Sequence, residues 1–330
     1  MTRQARVSYQ QPARRPTECR AVTHTYSHAY GKEGNALKAT KKNDAPMPPS
    51  VERLITEALA IQAEEAQEAG ALGFMARAMT LATLPHRKVD GNEFTRRNGA
   101  FTLSIMAPGK IGLPYGSIPR LLLAWVTTEA VRTRERELVL GDSMSAFMAE
   151  LGLSRQGSNI ASLKNQSRRL FASTVTATYE ASDRIADIGY RLADSATLWW
   201  ESGDPRQRGL WSSTVVLSEK FYREVVERPI PVDMRALKAL RRSPLALDIY
   251  CTLTYRASYA KKPTEIPWEA LAAQFGSDYK VVRQFKAAFL AELRRVQQVY
   301  PEIQVAEGTR GLILTPSPTH VRKAVRALPG

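Results

Sequence analysis

"ELVLGDSMSAFMAELGLSRQGSNIASLKNQSRRLFAS", residues 137–173, places in order a short apolar strand, a helix of barely two turns, a glycine at 152 and a longer helix with a basic outer face. The short helix is expected to be capped by Asp142 or Ser143, since a side-chain oxygen there accepts an orphan N–H of the first turn. In the longer helix Ile160, Leu163 and Leu170 recur at helical spacing and face inward, which turns Lys164, Asn165, Arg168 and Arg169 outward. No acidic residue occurs between Glu150 and Glu180. A brace helix, a glycine turn and a second helix form a helix-turn-helix, whose second helix enters a major groove. Phosphates line both walls of that groove and repel carboxylates, so an acid-free face is what such a helix requires.

Working outward, "SIPRLLLAWVTTEAVRTR" (117–134) reads as a helix with Ser117 as cap and an early Pro119. Ile118, Leu121, Leu122 and Trp125 fall on one face. Downstream, "TVTATYEASDRIADIGYRLADSATLWW" (174–200) alternates as an antiparallel ribbon does. Helix, strand, helix, helix, ribbon is the order of a winged helix.

The same order returns near the C-terminus. "SPLALDIYCTLTYRASYA" (243–260) is a helix from Ser243-Pro244, "TEIP" (264–267) a strand, and "WEALAAQFG" (268–276) a short helix ending at Gly276. "SDYKVVRQFKAAFLAELRRVQQVYP" (277–301) follows as a long basic helix, and "EIQVAEGTRGLILTP" (302–316) as a hairpin around Gly308 to Gly311. Pro119 to Gly152 spans 33 residues and Pro244 to Gly276 spans 32, which marks a repeat. In the second copy Val282, Phe285, Phe289, Leu293 and Val296 are expected to be buried, with Lys280, Arg283, Gln284 and Ala287 outward. Asp278, in the first turn, answers the helix dipole.

The expected fold is therefore mainly α with small antiparallel β-sheets (α+β), built as two tandem winged-helix domains. The candidate DNA-binding residues are Arg155, Ser158, Asn159, Lys164, Asn165, Arg168 and Arg169 in the first domain. In the second they are Lys280, Arg283, Gln284, Lys286 and Arg294, with Arg310 as a wing contact. Guanidinium and amide groups suit base edges, while lysines suit phosphates.

Residues 1–50 carry nine Lys/Arg against three Asp/Glu and few large aliphatics, the signature of a disordered basic arm. Residues 51–100 form an N-terminal helical segment, capped by Ser50, with one or two helices stopping near Gly70 and Pro85 and a short strand from Phe101 to Met106 after an Asn98-Gly99 turn. The first winged-helix domain is then 101–228 and the second 229–330, with a linker at "RPIPVD" (228–233). Over the 330 residues, 47 Lys+Arg against 32 Asp+Glu leave +15, a balance that favours a polyanionic partner.

Two cysteines, Cys19 and Cys251, exclude a disulfide framework and a Cys-based zinc site and suit a reducing cytosol. The first residues lack the apolar core of a signal peptide, and no apolar run long enough to span a membrane occurs. Phosphate-binding loops are missing: "YGKEG" (30–34) and "PGKIG" (108–112) lack the first glycine and the Ser/Thr of that motif. His24 and His28 lie in the arm, and His86 and His320 stand alone, so no catalytic residue, metal site or cofactor is expected. A winged-helix transcriptional regulator remains the alternative reading, although no ligand-binding domain is left over.

"IGLPYGSIPRLLLAWVTTEAVRTRERELVLGDSMSAFMAELGLS" (111–154) resembles the plasmid-encoded RepA-type replication initiators of broad-host-range plasmids. "ALGFMARAMTLATLPHR" (71–87), "EFTRRNGAFTLSIMAP" (93–108) and "RRLFASTVTATY" (168–179) are similar to the same family. The resemblance implies a bacterial cytoplasmic protein that binds direct repeats (iterons) of double-stranded plasmid origin DNA and promotes melting. It also implies as partners the host replicative helicase, the host initiator and a second copy of the chain, the dimer repressing its own promoter and the monomer initiating. Where family members have a Gly-rich turn with an Arg-Trp pair, this chain reads "SRQGSNIAS" (154–162), so its iteron preference is expected to differ.

Overall fold

Helix α1 (Pro49–Ala63) buries Leu54, Ala58 and Ile61 at helical spacing. Ser50, expected as its cap, is instead its second residue. The computed structural model that reveals this describes residues 49–63, 65–141, 143–181, 184–198, 213–276 and 279–321, and the basic arm lies outside them but for its last two residues. After α1 comes a strand that the helical reading of this region missed, β1 (Leu72–Met75), then the single-turn α2 (Arg77–Leu81). Strands β2 (Glu93–Asn98) and β3 (Phe101–Met106) make the expected hairpin over the Asn98-Gly99 turn, with Gly99 at φ +59°.

The first repeat comprises α3 (Ser117–Thr133), β4 (Glu137–Val139), α4 (Met144–Glu150), α5 (Gly157–Ala172) and four strands. These are β5 (Thr174–Ala181), β6 (Arg184–Arg191), β7 (Ala193–Thr197) and β8 (Thr214–Leu217). Helix α6 (Glu219–Glu227), strand β9 (Ile230–Asp233) and helix α7 (Met234–Leu240) connect it to the second repeat. That repeat runs α8 (Pro244–Ala257), β10 (Thr264–Pro267), α9 (Trp268–Phe275), α10 (Val282–Val299), β11 (Val305–Glu307) and β12 (Gly311–Leu314). All strand pairs among the described residues are antiparallel, in small sheets ordered β1-β9, β2-β3-β5-β6, β4-β8-β7 and β10-β12-β11.

The two three-stranded sheets have the same order: the strand after the first helix pairs with the last strand of its repeat, which pairs with the one before it. What distinguishes the first copy is the β5–β6 hairpin inserted between α5 and β7. It pairs through β5 with β3, register Phe101↔Tyr179 to Met106↔Thr174, rather than closing on β4. The ribbon expected over 174–200 is thus two structures. Period-2 alternation assigns faces to a strand but not its partner, which is why one ribbon was read where the chain makes an insertion and a closing pair.

Residues 228–233, expected as a linker, contain β9, whose register with β1 runs Leu72↔Asp233 to Met75↔Ile230. Proline lacks the ladder donor and is tolerated on edge strands, and both strands of a two-stranded sheet are edges. Residues 47–330 accordingly form one compact unit.

Ser143 caps α4, its hydroxyl accepting from the Ala146 N–H at 3.1 Å, whereas Asp142 lies outside the described residues. Ser243 caps α8 in the same way, with Pro244 at the first helical position as expected. Ser117 is no cap: it is the first residue of α3, preceded by Gly116 at φ +80°. Nor is α3 one-faced. Every residue from Pro119 to Thr127 is buried, and so is every residue from Leu245 to Thr254 of α8, so the first helix of each repeat is a core helix.

Within both buried runs stands a single charge, Arg120 in α3 and Asp248 in α8, and the two meet. The Arg120 Nε and Nη2 donate to Asp248 Oδ1 and Oδ2, each at 2.7 Å. The other guanidinium N–H groups reach Leu84 O, Pro85 O and Gly116 O, so the five donors of this buried cation are all used. His86 Nε2 donates to Asp248 Oδ2 at 2.8 Å. The equivalent helices of the two repeats are thus tied by charge at the centre of the molecule.

Candidate nucleic-acid interface

The α4–α5 turn occupies residues 151–156 and the α9–α10 turn residues 276–281, so the two have the same length. Gly152 sits at φ +69°, a conformation that costs a side-chain-bearing residue about 1–2 kcal/mol, and the Leu153 N–H returns to Met148 O at 2.8 Å. Gly276 makes its turn at φ −91° for another reason: a Cβ there would lie 2.8 Å from Ala272 O and 3.1 Å from Phe285 Cδ2. The glycine turns are where the repeat places them, and each is required by a different contact.

Helix α5 buries Leu163, Gln166, Ser167 and Leu170, and packs against α3. Ile160 is half-buried against the core, as expected of an inward position. Arg155, Ser158, Asn165 and Arg168 are exposed, and Lys164 is half-buried and engaged by a neighbour. Asn159 is half-buried, and its Nδ2 donates to Ser154 O at 3.1 Å and Ser154 Oγ at 2.7 Å, stapling the turn to the helix.

Arg169 does not face out as expected. Its Nη1 donates to Leu113 O at 3.0 Å, its Nε to Asn165 Oδ1 at 2.6 Å, and its guanidinium lies 5.6 Å from the centre of the Tyr115 ring. It follows Gln166 by three residues, on the flank that the segment before α3 covers: Gln166 Oε1 accepts from the Tyr115 N–H. Gly112 makes room for it, since a Cβ there would stand 2.5 Å from Arg169 Nη1.

In α10 the buried stripe is Phe285, Phe289, Leu293, Val296 and Val299. Val282, expected to begin it, is 37% exposed, because the helix starts there and its first turn projects beyond the core. Lys280, Arg283, Gln284, Ala287 and Arg294 are exposed. Asp278 lies outside the described residues. Lys286, expected as a phosphate contact, is held instead: its Nζ is 2.5 Å from Glu307 Oε1 on β11 and 5.0 Å from the Trp268 ring centre. Arg310 sits at the β11–β12 turn with its side chain 85% exposed, 3.8 Å from Glu265 Oε2. Between α10 and this hairpin runs a groove of about 560 Å³ whose walls include Glu265, Glu269, Lys286 and Arg310.

The two copies therefore differ electrostatically. Helix α5 itself contains no acidic residue, whereas Lys286 and Arg310 of the second copy lie beside Glu307 and Glu265 of the flanking strands. Glu265 and Glu307 are the residues that the cations alone do not reveal, and their signal is their place on the strands β10 and β11 flanking α10.

His86 does not stand alone either. Burial holds its pKa below the usual 6.5, against the opposing pull of the Asp248 hydrogen bond and charge. Burial by itself would raise the Asp248 carboxyl, but the Arg120 charge and the hydrogen bonds from His86 and Arg120 hold it below the usual 3.8. His320 Nδ1 lies 2.7 Å from the Tyr250 hydroxyl, and burial lowers its pKa too. Among the described residues no group of three or more His, Cys, Asp or Glu is placed to hold a metal, and no helix is long and apolar enough to cross a membrane.

Residues 113–268 match the family model of the plasmid-encoded RepA protein. Over that segment, a little under half of the chain, the sequence is similar to the plasmid-encoded RepA family. It is a family of DNA-binding replication initiators. The RepA segment takes in the whole first repeat, with α5, and ends at the first residue of α9, so α10 lies beyond it. Two crystal structures of domains 2 and 3 of RctB are similar in fold at 11% identity. The selenomethionine derivative gives a TM-score of 0.48 over 73% of this chain and 96% of that one. The other gives 0.45 over 72% and 94%. No curated protein matches the chain.

Proposed function

We propose that this chain initiates plasmid replication by binding directly repeated origin sites through two winged helices, with α5 and α10 as the reading helices and the β11–β12 turn as a wing. The observation that carries the reading is the α5 face, where Arg155, Ser158, Asn165 and Arg168 stand exposed in a stretch that has no acidic residue from 151 to 179. A helix so composed, delivered by a glycine turn from a brace helix, meets the demand of a phosphate-walled groove. Arg283 and Gln284 at the start of α10 suit base edges, because the first turns of a reading helix are the ones that reach them.

Two readers of equal turn length in one chain suit a monomer on successive major grooves, about 10.5 bp apart. Origin melting, recruitment of the host replicative helicase and initiator, and repression of its own promoter as a dimer complete the proposed role, in the bacterial cytoplasm on plasmid DNA. The test is binding of the full chain to duplexes from its own origin. Tight binding to direct repeats supports an initiator, and preference for a lone palindrome with none for repeats would make it a regulator.

A further inference from the structure

Away from both readers, the segment between the repeats, the C-terminal half of α8 and the last described residues enclose a cavity of about 380 Å³. Arg77 enters it from the start of α2 and Arg228 from the end of α6. Among the described residues neither guanidinium makes a hydrogen bond or ion pair. The rest of the wall is mostly apolar, with Ile230 and a proline on each side of it, Val321 and Tyr255, and it also includes Ser258 and Thr319. Thr254 lines the same cavity, is only 3% exposed, and has a buried hydroxyl with no partner. A helical threonine ordinarily returns its hydroxyl to a carbonyl or finds a neighbour, as Thr252 does with Thr80 O on the same helix.

Two uncompensated cations beside a wall of Pro229, Ile230, Pro231, Tyr255 and Val321, with Ser258 and Thr319 adding hydroxyl groups, describe a ligand with an anionic end and a flat or apolar body. The volume falls within the range of small-molecule pockets, and such pockets are mostly apolar with a few convergent polar groups. A duplex is too wide to enter, so the cavity is not a part of the reading surface. Among the described residues no acidic side chain lines the cavity.

We propose that this cavity is a binding site for a small organic anion, the carboxylate or phosphate held by Arg77 and Arg228, the body lying on Ile230, Tyr255 and Val321. Neither α5 nor α10 takes part, so the site stands or falls separately from the DNA-binding reading.

The experiment is ligand-observed NMR titration of the full-length chain with phenyl phosphate, benzoate and, as a neutral control, benzyl alcohol. Both aryl anions are expected to bind saturably at millimolar concentrations or below, and benzyl alcohol not to. Arg77→Ala and Arg228→Ala should each weaken binding about tenfold, as loss of one charge-assisted contact does. Tighter binding of phenyl phosphate assigns a phosphate-bearing ligand, and tighter binding of benzoate a carboxylate. Absence of saturable binding by either anion overturns the proposal. So does binding indifferent to both arginine variants, or a loss of duplex affinity in those variants as large as the loss of anion binding.

Discussion

Arg120 and Asp248 join the first helices of the two repeats through a buried two-point ion pair, both contacts at 2.7 Å. Removing one partner of such a pair strands the other charge in the core, which costs about 3–5 kcal/mol. Asp248→Asn is therefore expected to lower the stability of the full chain by that amount in urea denaturation. The double variant Arg120→Met with Asp248→Leu should recover only part of it: no charge is left unpaired, but Leu84 O, Pro85 O, Gly116 O and His86 lose their partner. A single variant that melts like wild type would show that the pair does not hold α3 to α8.

Acid sensitivity follows from the same region. His86 and His320 both sit below 6.5 when folded, and Asp248 below 3.8. As pH falls below about 6.5 the unfolded chain takes up protons on the two imidazoles before the folded chain does, so stability declines with pH from there. The Asp248 contribution persists above 3.8 and is lost only below it. Thermal melts between about pH 7.5 and 5 should show this decline, and His86→Gln with His320→Gln should make it shallower. An equal slope in the double variant would contradict the assignment.

The neighbouring arginines of α5 are expected to behave differently. Arg168→Ala should weaken duplex binding and reduce the salt slope by about one unit, with melting unchanged. Arg169→Ala should instead lower stability by about 1.5–3 kcal/mol, because it removes charge-assisted bonds to Leu113 O and Asn165. Gel-shift titrations in salt paired with denaturation curves separate the two, and identical behaviour would show that the pair acts as one surface.

In the second copy Glu307 is expected to oppose duplex binding. Glu307→Gln frees Lys286 from its 2.5 Å partner, so duplex affinity and the salt slope should both rise, the slope by about one unit. A fall in affinity would mean that Glu307 positions Lys286 for DNA rather than neutralising it.

These contrasts mark what the sequence discloses. The repeat was legible because Pro, Gly and apolar spacings are local: Ser243-Pro244, Gly152 and Gly276 stand where their chemistry requires. The helix pairs α4–α5 and α9–α10 followed from that. The pairing of β9 with β1 was not legible, since its prolines read as a linker and its partner lies some 160 residues away. The same holds for Arg169 and Lys286, both expected as DNA contacts, while Leu113 and Glu307, on other elements of the fold, engage them. Arg120 and Asp248 did leave a trace, each the lone charge in an apolar run, and a buried charge demands a partner.

The central claim, two readers on one duplex, is tested most directly by hydroxyl-radical footprinting of the full chain on origin DNA. Wild type is predicted to protect two segments about 10.5 bp apart on one face of the helix. Arg168→Ala should selectively weaken one segment, and Arg283→Ala with Gln284→Ala the other. A single protected segment, or two that weaken together in both variants, would contradict the account.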